Sequence, residues 1–378
     1  QTCALPICDN LVAGKTYTGI YTDTDFKGWS LKSRKPAQEH QIRLALATLQ
    51  CENPADWETM LNKTISKVQT DKKAKQKTRQ WWNSYWKRSY VFIDSGKIGS
   101  DYWKVGRNYQ LFRYMLGCNA YGNEPTKFNG GLFTFDPVHI DSTRVFTPDF
   151  RLWGGGTMTA QNQRLVYFPM LKSGDFDMMK PQFDFYERML DNAKLRTKVY
   201  WNHGGACFSE QIENFGLPNL AEYDWKPRHE GFPVGVDSNP WLEYTWDTAL
   251  EFALMMFDAH LYNNEPIVPH LPFIESLLTF FDEHYSYLAL RRGTNKLDGD
   301  GHLVLYPGSA CETYKMATNA TSTVAALKVI TEKLLELPEL DATQREHWSG
   351  FLKRIPPISH REVQGKKTIS PAKMWERI

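Results

Sequence analysis

The chain has 378 residues, 42% of them hydrophobic, which is enough for an extensive core and for more than one domain. Its 45 basic and 43 acidic residues leave a formal charge of +2, which argues against a nucleic-acid-binding or membrane-surface protein. No apolar run approaches the length needed to cross a bilayer. We therefore expect neither nucleic acid nor a membrane as a partner.

Six cysteines stand at positions 3, 8, 51, 118, 207 and 311, without a CxxC motif or any metal-ligand spacing. They are predicted to be free, buried thiols. No metal site and no cofactor is suggested, although calcium bound by loop carboxylates remains open.

Both ends of the chain have features of a fragment. The first seven residues, "QTCALPI", are what a widely used sequencing-adapter end gives on translation, so residues 1–7 are predicted to be an artefact. The other end, "SPAKMWERI", is predicted to be the first turn of a helix that is cut short. The absence of a signal peptide from such a piece carries no information on localisation.

Residues 8–52 are predicted to be the tail of a larger β-domain. The runs "KTYTGIY" and "EHQIRLALATL" have strand composition, and the polar segment "DTDFKGWSLKSRKPAQ" separates them. Two or three strands do not form a stable sheet alone. Residues 53–100 are predicted to be a helical linker, because "NPADWETMLNKTISKVQ" and "KTRQWWNSYWKRSYVFI" have helical periodicity, with Asn53 or Asp56 as the cap.

Residues 101–378 are predicted to be helical almost throughout. The expected helices lie near 101–119, 159–171, 176–200, 206–215, 244–263, 270–290, 318–336 and 341–353. The segment 244–263 is apolar nearly all round, whereas 318–336 has one apolar and one polar face. Such an alternation of buried and amphipathic helices indicates two concentric rings. The long loops rich in glycine and aromatic residues follow alternate helices, so in a toroid they would gather on one rim and form a site.

Two rim segments carry the candidate catalytic groups. In "TAQNQRLVYFPML", Gln161 and Asn162 stand at the start of a helix, where they either cap it or aim an amide into a cavity that orients a water or a carboxylate. In "GHLVLYPGSACETYKM", Glu312 follows a run of small residues. A carboxyl held against Tyr306 and Tyr314 would be partly desolvated, which raises its pKa and suits a general acid. The alternative is an ordinary solvent-exposed glutamate.

Further acids and indoles are candidates for sugar binding, since carboxylates accept hydroxyl hydrogen bonds and indoles stack on sugar rings. Glu210, Trp246, Asp247 and Trp82 are chosen on this ground, although pairing with a basic residue or ordinary packing remains open for each. The sequence contains no GxSxG, P-loop, HExxH or dinucleotide-binding motif, which leaves serine-hydrolase and nicotinamide chemistry without support.

From about residue 101 onwards, five motifs occur in the order found in glycoside hydrolase family 95, the inverting α-L-fucosidases and α-L-galactosidases. They are "YQLFRYMLGCNAYGNEPTKFNGG", "DFRLWGGGTMTAQNQRLVYFPMLKSGDFD", "HGGACFSEQIENFG", "WDTALEFALMMFDAHLYNNE" and "GHLVLYPGSACETYK". The chain resembles this family, and more closely a group of uncharacterised bacterial proteins related to it. The resemblance implies a mainly α fold: an incomplete (α/α)6 toroid preceded by a remnant of a β-sandwich domain.

The resemblance also assigns roles by position. Glu312 matches the general acid, and Asn162 matches the second of two asparagines that orient the base. Ala160 stands where the first asparagine should be, which is a departure from the family pattern, and Asn129 stands where the family has glutamine. Trp153 lies in the asparagine motif and is expected to contact the sugar. The general base would lie beyond residue 378, so the fragment alone is expected to be inactive.

The function expected from these residues is cleavage of glycosidic bonds with inversion, in plant- or host-type glycans of the α-L-fucoside or α-L-galactoside kind. The partner is then an oligo- or polysaccharide, and the full-length protein is expected to be periplasmic or secreted. A non-catalytic carbohydrate-binding relative is the alternative. A phosphorylase on the same toroid would need a phosphate site, which no basic or glycine-rich cluster clearly provides.

Overall fold

The structure is a computed structural model, and it describes residues 2–7, 10–21, 24–40, 43–93, 96–119, 121–126, 143, 158–218, 230–231, 233, 235–237 and 239–376. The chain divides into two compact units. One comprises residues 1–90 with 136–148, and the other comprises residues 91–135 with 149–378. No described helix is both long and apolar enough to cross a membrane.

The first unit contains four strands and two helices among its described residues: β1 Thr2–Ile7, β2 Leu11–Tyr21, β3 Thr24–Ser33, β4 Arg43–Thr48, α1 Pro54–Thr70 and α2 Ala74–Arg88. β1 pairs with β4 and β2 with β3, both antiparallel. The polar segment predicted to separate two strands is therefore itself mostly a strand, because it completes a hairpin with β2. The predicted cap of α1 is confirmed, since the Asn53 side chain accepts the Asp56 N–H at 3.1 Å.

Helix α1 packs against β4. The Trp57 indole N–H donates to the Ala47 carbonyl at 3.1 Å. Ala45, Ala47, Trp57 and Leu61 form one buried hydrophobic cluster. This helix therefore belongs to the same compact unit as the strands, whose first segment runs to Tyr90. The predicted domain limits and the adapter origin of residues 1–7 stay predictions.

The second unit is built mainly of helices. They are α3 Asp101–Cys118, α4 Ala160–Ser173, α5 Lys180–Arg188, α6 Leu190–Trp201, α7 Pro240–Tyr244, α8 Thr248–Asn263, α9 Leu271–Arg291, α10 Thr321–Glu336 and α11 Ala342–Arg354. Three short antiparallel pairs join its loops: β5 Met158–Thr159 with β6 Gln211–Ile212, β7 Gly308–Ala310 with β8 Tyr314–Ala317, and β9 His360–Val363 with β10 Lys366–Ile369.

Helices of this unit that are distant in the sequence lie side by side. α4 packs against α8 and α8 against α10, while α6 packs against α9, so two layers of helices form. The N-terminal turns of the first layer meet: Arg164 of α4 pairs with Glu251 of α8, and Asp247, at the start of α8, accepts a hydrogen bond from Thr323 of α10. The three helices therefore run in the same direction, and their first turns lie at one end of the layer, which is called the rim below.

Burial agrees with the predicted roles of two helices. In α8 the buried positions, among them Leu250, Phe252 and Met256, surround most of the helix, and only its last turn is exposed. In α10 the buried positions Val324, Leu327, Ile330 and Leu334 recur every three or four residues along one face.

Three helix predictions are wrong. Residues 206–215 form no helix, because 206–212 are a buried segment that ends in β6 and 214–215 lie in an exposed turn. The predicted helix 176–200 is two helices that meet at Met189. Residues 370–376 are not helical: Met374 instead makes an isolated bridge to Thr318.

The prediction of buried thiols holds only for Cys207 among the cysteines whose side chains are described. Cys51, Cys118 and Cys311 are exposed, although all four are free. Three of these cysteines therefore contribute no core packing.

Candidate functional site

The rim where α4, α8 and α10 begin carries a cluster of ionisable side chains. The Arg164 guanidinium lies 2.6 Å from the Glu251 carboxylate. The Thr323 hydroxyl donates to Asp247 Oδ2 at 3.1 Å. Asp247 is buried, whereas Arg164 and Glu251 are partly exposed, so the cluster reaches from the interior towards the surface of the rim.

Glu210 binds the first turn of α4 with both its backbone and its side chain. Its carbonyl oxygen accepts the Ala160 N–H at 2.9 Å, and its carboxyl Oε1 accepts the Gln161 N–H at 2.8 Å. The residue at the N-cap position, Thr159, makes no side-chain capping bond. Glu210, brought in by the β5–β6 pairing, therefore does what a capping residue of α4 would otherwise do.

The second carboxyl oxygen of Glu210, Oε2, is buried and has no hydrogen-bond partner among the described residues. The pKa of this carboxyl is raised from 4.5 to about 8. Burial is the largest cause and the charges of Asp247 and Glu251 add to it, whereas the Gln161 N–H and Arg164 oppose it. The group is therefore largely protonated at neutral pH.

The other two acids of the cluster shift in the same direction. Burial raises the pKa of Asp247, against hydrogen bonds from Ser322 and Thr323 that lower it. Burial also raises the pKa of Glu251, against the opposing charge of Arg164. These carboxyl groups keep their protons to higher pH than free acids do. They are therefore suited to hydrogen bonding with hydroxyl groups and to proton transfer.

Glu312 lies in the turn of the β7–β8 hairpin and is exposed. The prediction of a desolvated carboxyl at this position is wrong for this structure, because the turn projects the side chain into solvent. The hairpin itself packs against α7, which leads into Asp247, and β7 also packs against α10. Two non-glycine residues of the hairpin, Cys311 in the turn and Met316 in β8, have left-handed φ values of 54° and 48°. Such backbone strain is found most often at functional sites.

The remaining predicted site residues fall into three groups. Gln161 and Asn162 are partly exposed in the first turn of α4, at the rim. Asn129 and Trp153 lie outside the described residues. Trp82 belongs to α2 in the other compact unit, where it contacts Trp81, Tyr85 and Trp86, and its predicted role stays a prediction.

Trp246 has a packing role. It is 1% exposed, and the rings of Trp201, Phe280 and His284 surround it, so no sugar can stack on it in this structure. Glu210 was also expected to contact the substrate directly. Its side chain is fully buried, so it cannot do so in this structure. The structure assigns it to the α4 terminus instead.

Glu243, in α7, forms an ion pair with Arg196 of α6. Its carboxylate lies 2.9 Å from the Arg196 guanidinium, and both side chains are buried. Arg196 also donates to the carbonyl of Gly235 and to the sulfur of Cys207. Burial is the main reason that the pKa of the Cys207 thiol is raised to about 12.

One group of described side chains has the spacing of cation ligands. The ligand atoms of Asp298, Asp300 and His302 lie within 4.8 Å of one another. Asp298 Oδ1 already accepts the backbone N–H groups of Asp300 and His302, at 3.0 and 2.9 Å, and these bonds organise the turn. The backbone bond from His302 is also the main reason that the pKa of Asp298 is lowered. The arrangement is explained by the turn alone.

Comparison with known proteins gives one partial family match and one structural likeness. The sequence profile of a domain of unknown function (DUF5703) matches residues 4–91, less than a quarter of the chain. No curated protein matches the chain. Among solved structures, the chain is similar to a provisionally named kojibiose phosphorylase from the human microbiome, with a TM-score of 0.54 and 11% sequence identity.

That likeness covers 94% of this chain but only 45% of the phosphorylase chain. At such low identity it concerns the fold. It is consistent with an (α/α)6 architecture for the helical part, as are the two layers of helices. It does not single out family 95, so the fucosidase and galactosidase resemblance belongs to the proposal below.

Proposed function

We propose that the chain is part of a carbohydrate-active enzyme that cleaves glycosidic bonds at the rim where α4, α8 and α10 begin. The observation that carries the proposal is the convergence, at this one rim, of Asn162, the Asp247–Glu251 acids and the strained hairpin that presents Glu312. The fold likeness to a named phosphorylase is consistent with a sugar substrate.

In the proposed reaction Glu312 is the general acid. It protonates the glycosidic oxygen while a water, oriented by Asn162 and activated by a second carboxylate, attacks the anomeric carbon from the opposite face. The bond from the anomeric carbon to the leaving oxygen breaks, and the configuration inverts. The substrate class we propose is an α-L-fucoside or α-L-galactoside.

The test is release of nitrophenol from aryl α-L-fucoside, α-L-galactoside and α-D-glucoside, each with and without inorganic phosphate. Stimulation by phosphate would assign phosphorolysis rather than hydrolysis. Proton NMR of the first-formed sugar reports the anomer, and retention of configuration would contradict the proposal. Turnover of any of these substrates would overturn the expectation that this chain alone is inactive, whereas absence of turnover on all three, with and without phosphate, would count against catalysis by this chain.

Two variants make the test specific. Glu312→Gln removes the acid proton and is expected to lower kcat by about 10²-fold or more. Glu339→Gln is the matched control, because Glu339 is exposed in the connection after α10, at the other end of that helix from the rim. Equal rates for the two variants would remove Glu312 from the mechanism.

A non-catalytic carbohydrate-binding role is the second candidate, and the solvent exposure of Glu312 favours it. A binding protein would show no turnover, and Glu312→Gln would keep its affinity for sugar. Calorimetric titration of the wild-type chain and this variant with the same glycosides, beside the rate measurement, separates the two functions.

A further inference from the structure

A pocket of about 550 Å³ lies beside the β7–β8 hairpin. Its wall includes residues from the segment after α9, from β8 and from the region after β10: Arg292, Asn295, Tyr306, Met316, Thr318 and Trp375. The volume falls within the range of small-molecule sites, about 300–1,000 Å³.

The lining combines aromatic rings with neutral and charged polar groups. Tyr306 and Trp375 are partly buried aromatic side chains, and Arg292 and Asn295 supply exposed donors. The charges are mixed, since Asp298 and Glu376 also line the pocket, which disfavours a phosphate or another anion as the occupant. A pyranose ring, with apolar C–H faces and hydroxyl groups around its edge, needs this mixture of surfaces.

The wall is held in place by contacts within the protein. Arg292 donates to the Tyr306 carbonyl at 2.6 Å, and its guanidinium lies 5.4 Å from the centre of the Tyr306 ring. The buried Asn319 exchanges two hydrogen bonds with the Leu305 backbone, each 2.9 Å long, and so fixes the chain before β7 against the end of β8. The Trp375 ring packs at 5.1 Å from the ring of Tyr314. A preformed wall lowers the entropy lost when a ligand binds.

We propose that this pocket binds one pyranose ring of an oligosaccharide, as a subsite next to the hairpin that carries Glu312. Met316, in β8, and Thr318, directly after it, line the pocket, so a sugar bound here contacts the strand that follows the Glu312 turn. The inference deepens the proposed function and rests on it for the identity of the ligand as a sugar.

The experiment is an NMR titration of the whole chain with the methyl glycosides of L-fucose, L-galactose and D-glucose, monitoring the indole N–H resonances. The Trp375 resonance is assigned by its loss in Trp375→Phe. We expect this resonance to shift with at least one glycoside, and we expect Trp375→Ala and Asn295→Ala to weaken binding by about tenfold or more. Asn295→Ala removes an exposed side chain, so it tests the pocket even where Trp375→Ala perturbs folding.

Arg292→Ala, which removes a pocket-lining donor, is also expected to weaken binding. Arg291→Ala is its matched control, because Arg291 is an exposed neighbour whose guanidinium bonds the Tyr287 hydroxyl and does not line the pocket. Unchanged affinity in both Trp375→Ala and Asn295→Ala would overturn the subsite, and so would the absence of any shift at millimolar glycoside.

Glu312→Gln separates the two proposals, because it removes the proposed general acid and leaves the residues that line the pocket unchanged. Pocket-dependent binding without turnover in any variant contradicts the catalytic function alone, whereas turnover with an unaltered KM in the pocket variants contradicts the subsite alone.

Discussion

Replacement of Glu210 by glutamine tests whether the rim is built around a protonated carboxyl group. The Oε1 atom of Glu210 accepts the Gln161 N–H, and Oε2 is buried without a partner among the described residues. Glutamine keeps the acceptor and places an uncharged NH2 group at the second position, so it imitates the neutral acid and cannot ionise. The first turn of α4 should therefore stay in place.

The expected effect is a change in how stability depends on pH. The pKa of Glu210 is raised from 4.5 to about 8 in the folded chain, so the folded state keeps a proton that the unfolded state releases. Stability is therefore lost as pH rises from about 4.5 to about 8, at about 1.4 kcal/mol per pH unit, or about 5 kcal/mol in all. Glu210→Gln removes this loss. Asp247 and Glu251 shift in the same direction but are present in both proteins, so the difference isolates Glu210.

The assay is urea unfolding at pH 5, 6, 7 and 8, followed by near-UV circular dichroism. The variant and the wild type should have similar free energies of unfolding at pH 5, and the variant should be more stable by about 3 kcal/mol at pH 7. Glu339→Gln, at an exposed acid, should leave the slope of the wild type unchanged. Parallel pH profiles for wild type and Glu210→Gln would refute the claim that this carboxyl is buried and protonated.

Three further outcomes follow from contacts in the helical unit. Glu243→Ala leaves a buried guanidinium unpaired and should destabilise by about 3–5 kcal/mol, whereas Asp184→Ala, which breaks an exposed i,i+4 pair, should cost less than about 1 kcal/mol by the same urea titration. Gly205→Ala should lower Tm far more than Gly174→Ala, since both have positive φ but only the Cβ at 205 would lie 2.2 Å from a backbone nitrogen. Cys207 should resist a thiol reagent in the native state while the exposed cysteines react, as counted by mass spectrometry, because its thiol is buried with its pKa raised to about 12.

The helical framework could be predicted from the sequence because its signals are long and periodic. The observed α10 and α11 begin within a few residues of the predicted positions, and the wholly apolar stretch of α8 is buried as expected. The rim could not be predicted in the same detail. The segment 206–212 is buried at every position, and a short apolar run has no period that separates a strand from a helix.

The sequence predicted the region of the candidate site more accurately than it predicted the individual residues of that site. Asn162 and Asp247 lie at the rim, as expected, and Glu312 lies on a rim hairpin but in solvent. The buried, protonated acid is Glu210, whose burial depends on a two-residue strand pairing that brings distant segments together. The residues next to Glu210 in the sequence do not indicate such a long-range contact.

The connections at the two ends of the helices differ in length, and this difference has an evolutionary consequence. Those opposite the rim are short: six residues separate α4 from α5, seven separate α8 from α9, and five separate α10 from α11. On the rim, 29 residues lie between α9 and α10. Long surface connections tolerate insertions and exchanges better than short ones, so we expect changes on the rim to leave the helices and their short connections in place. Proteins built on this scaffold can therefore differ in what the rim binds while they keep the same helical framework.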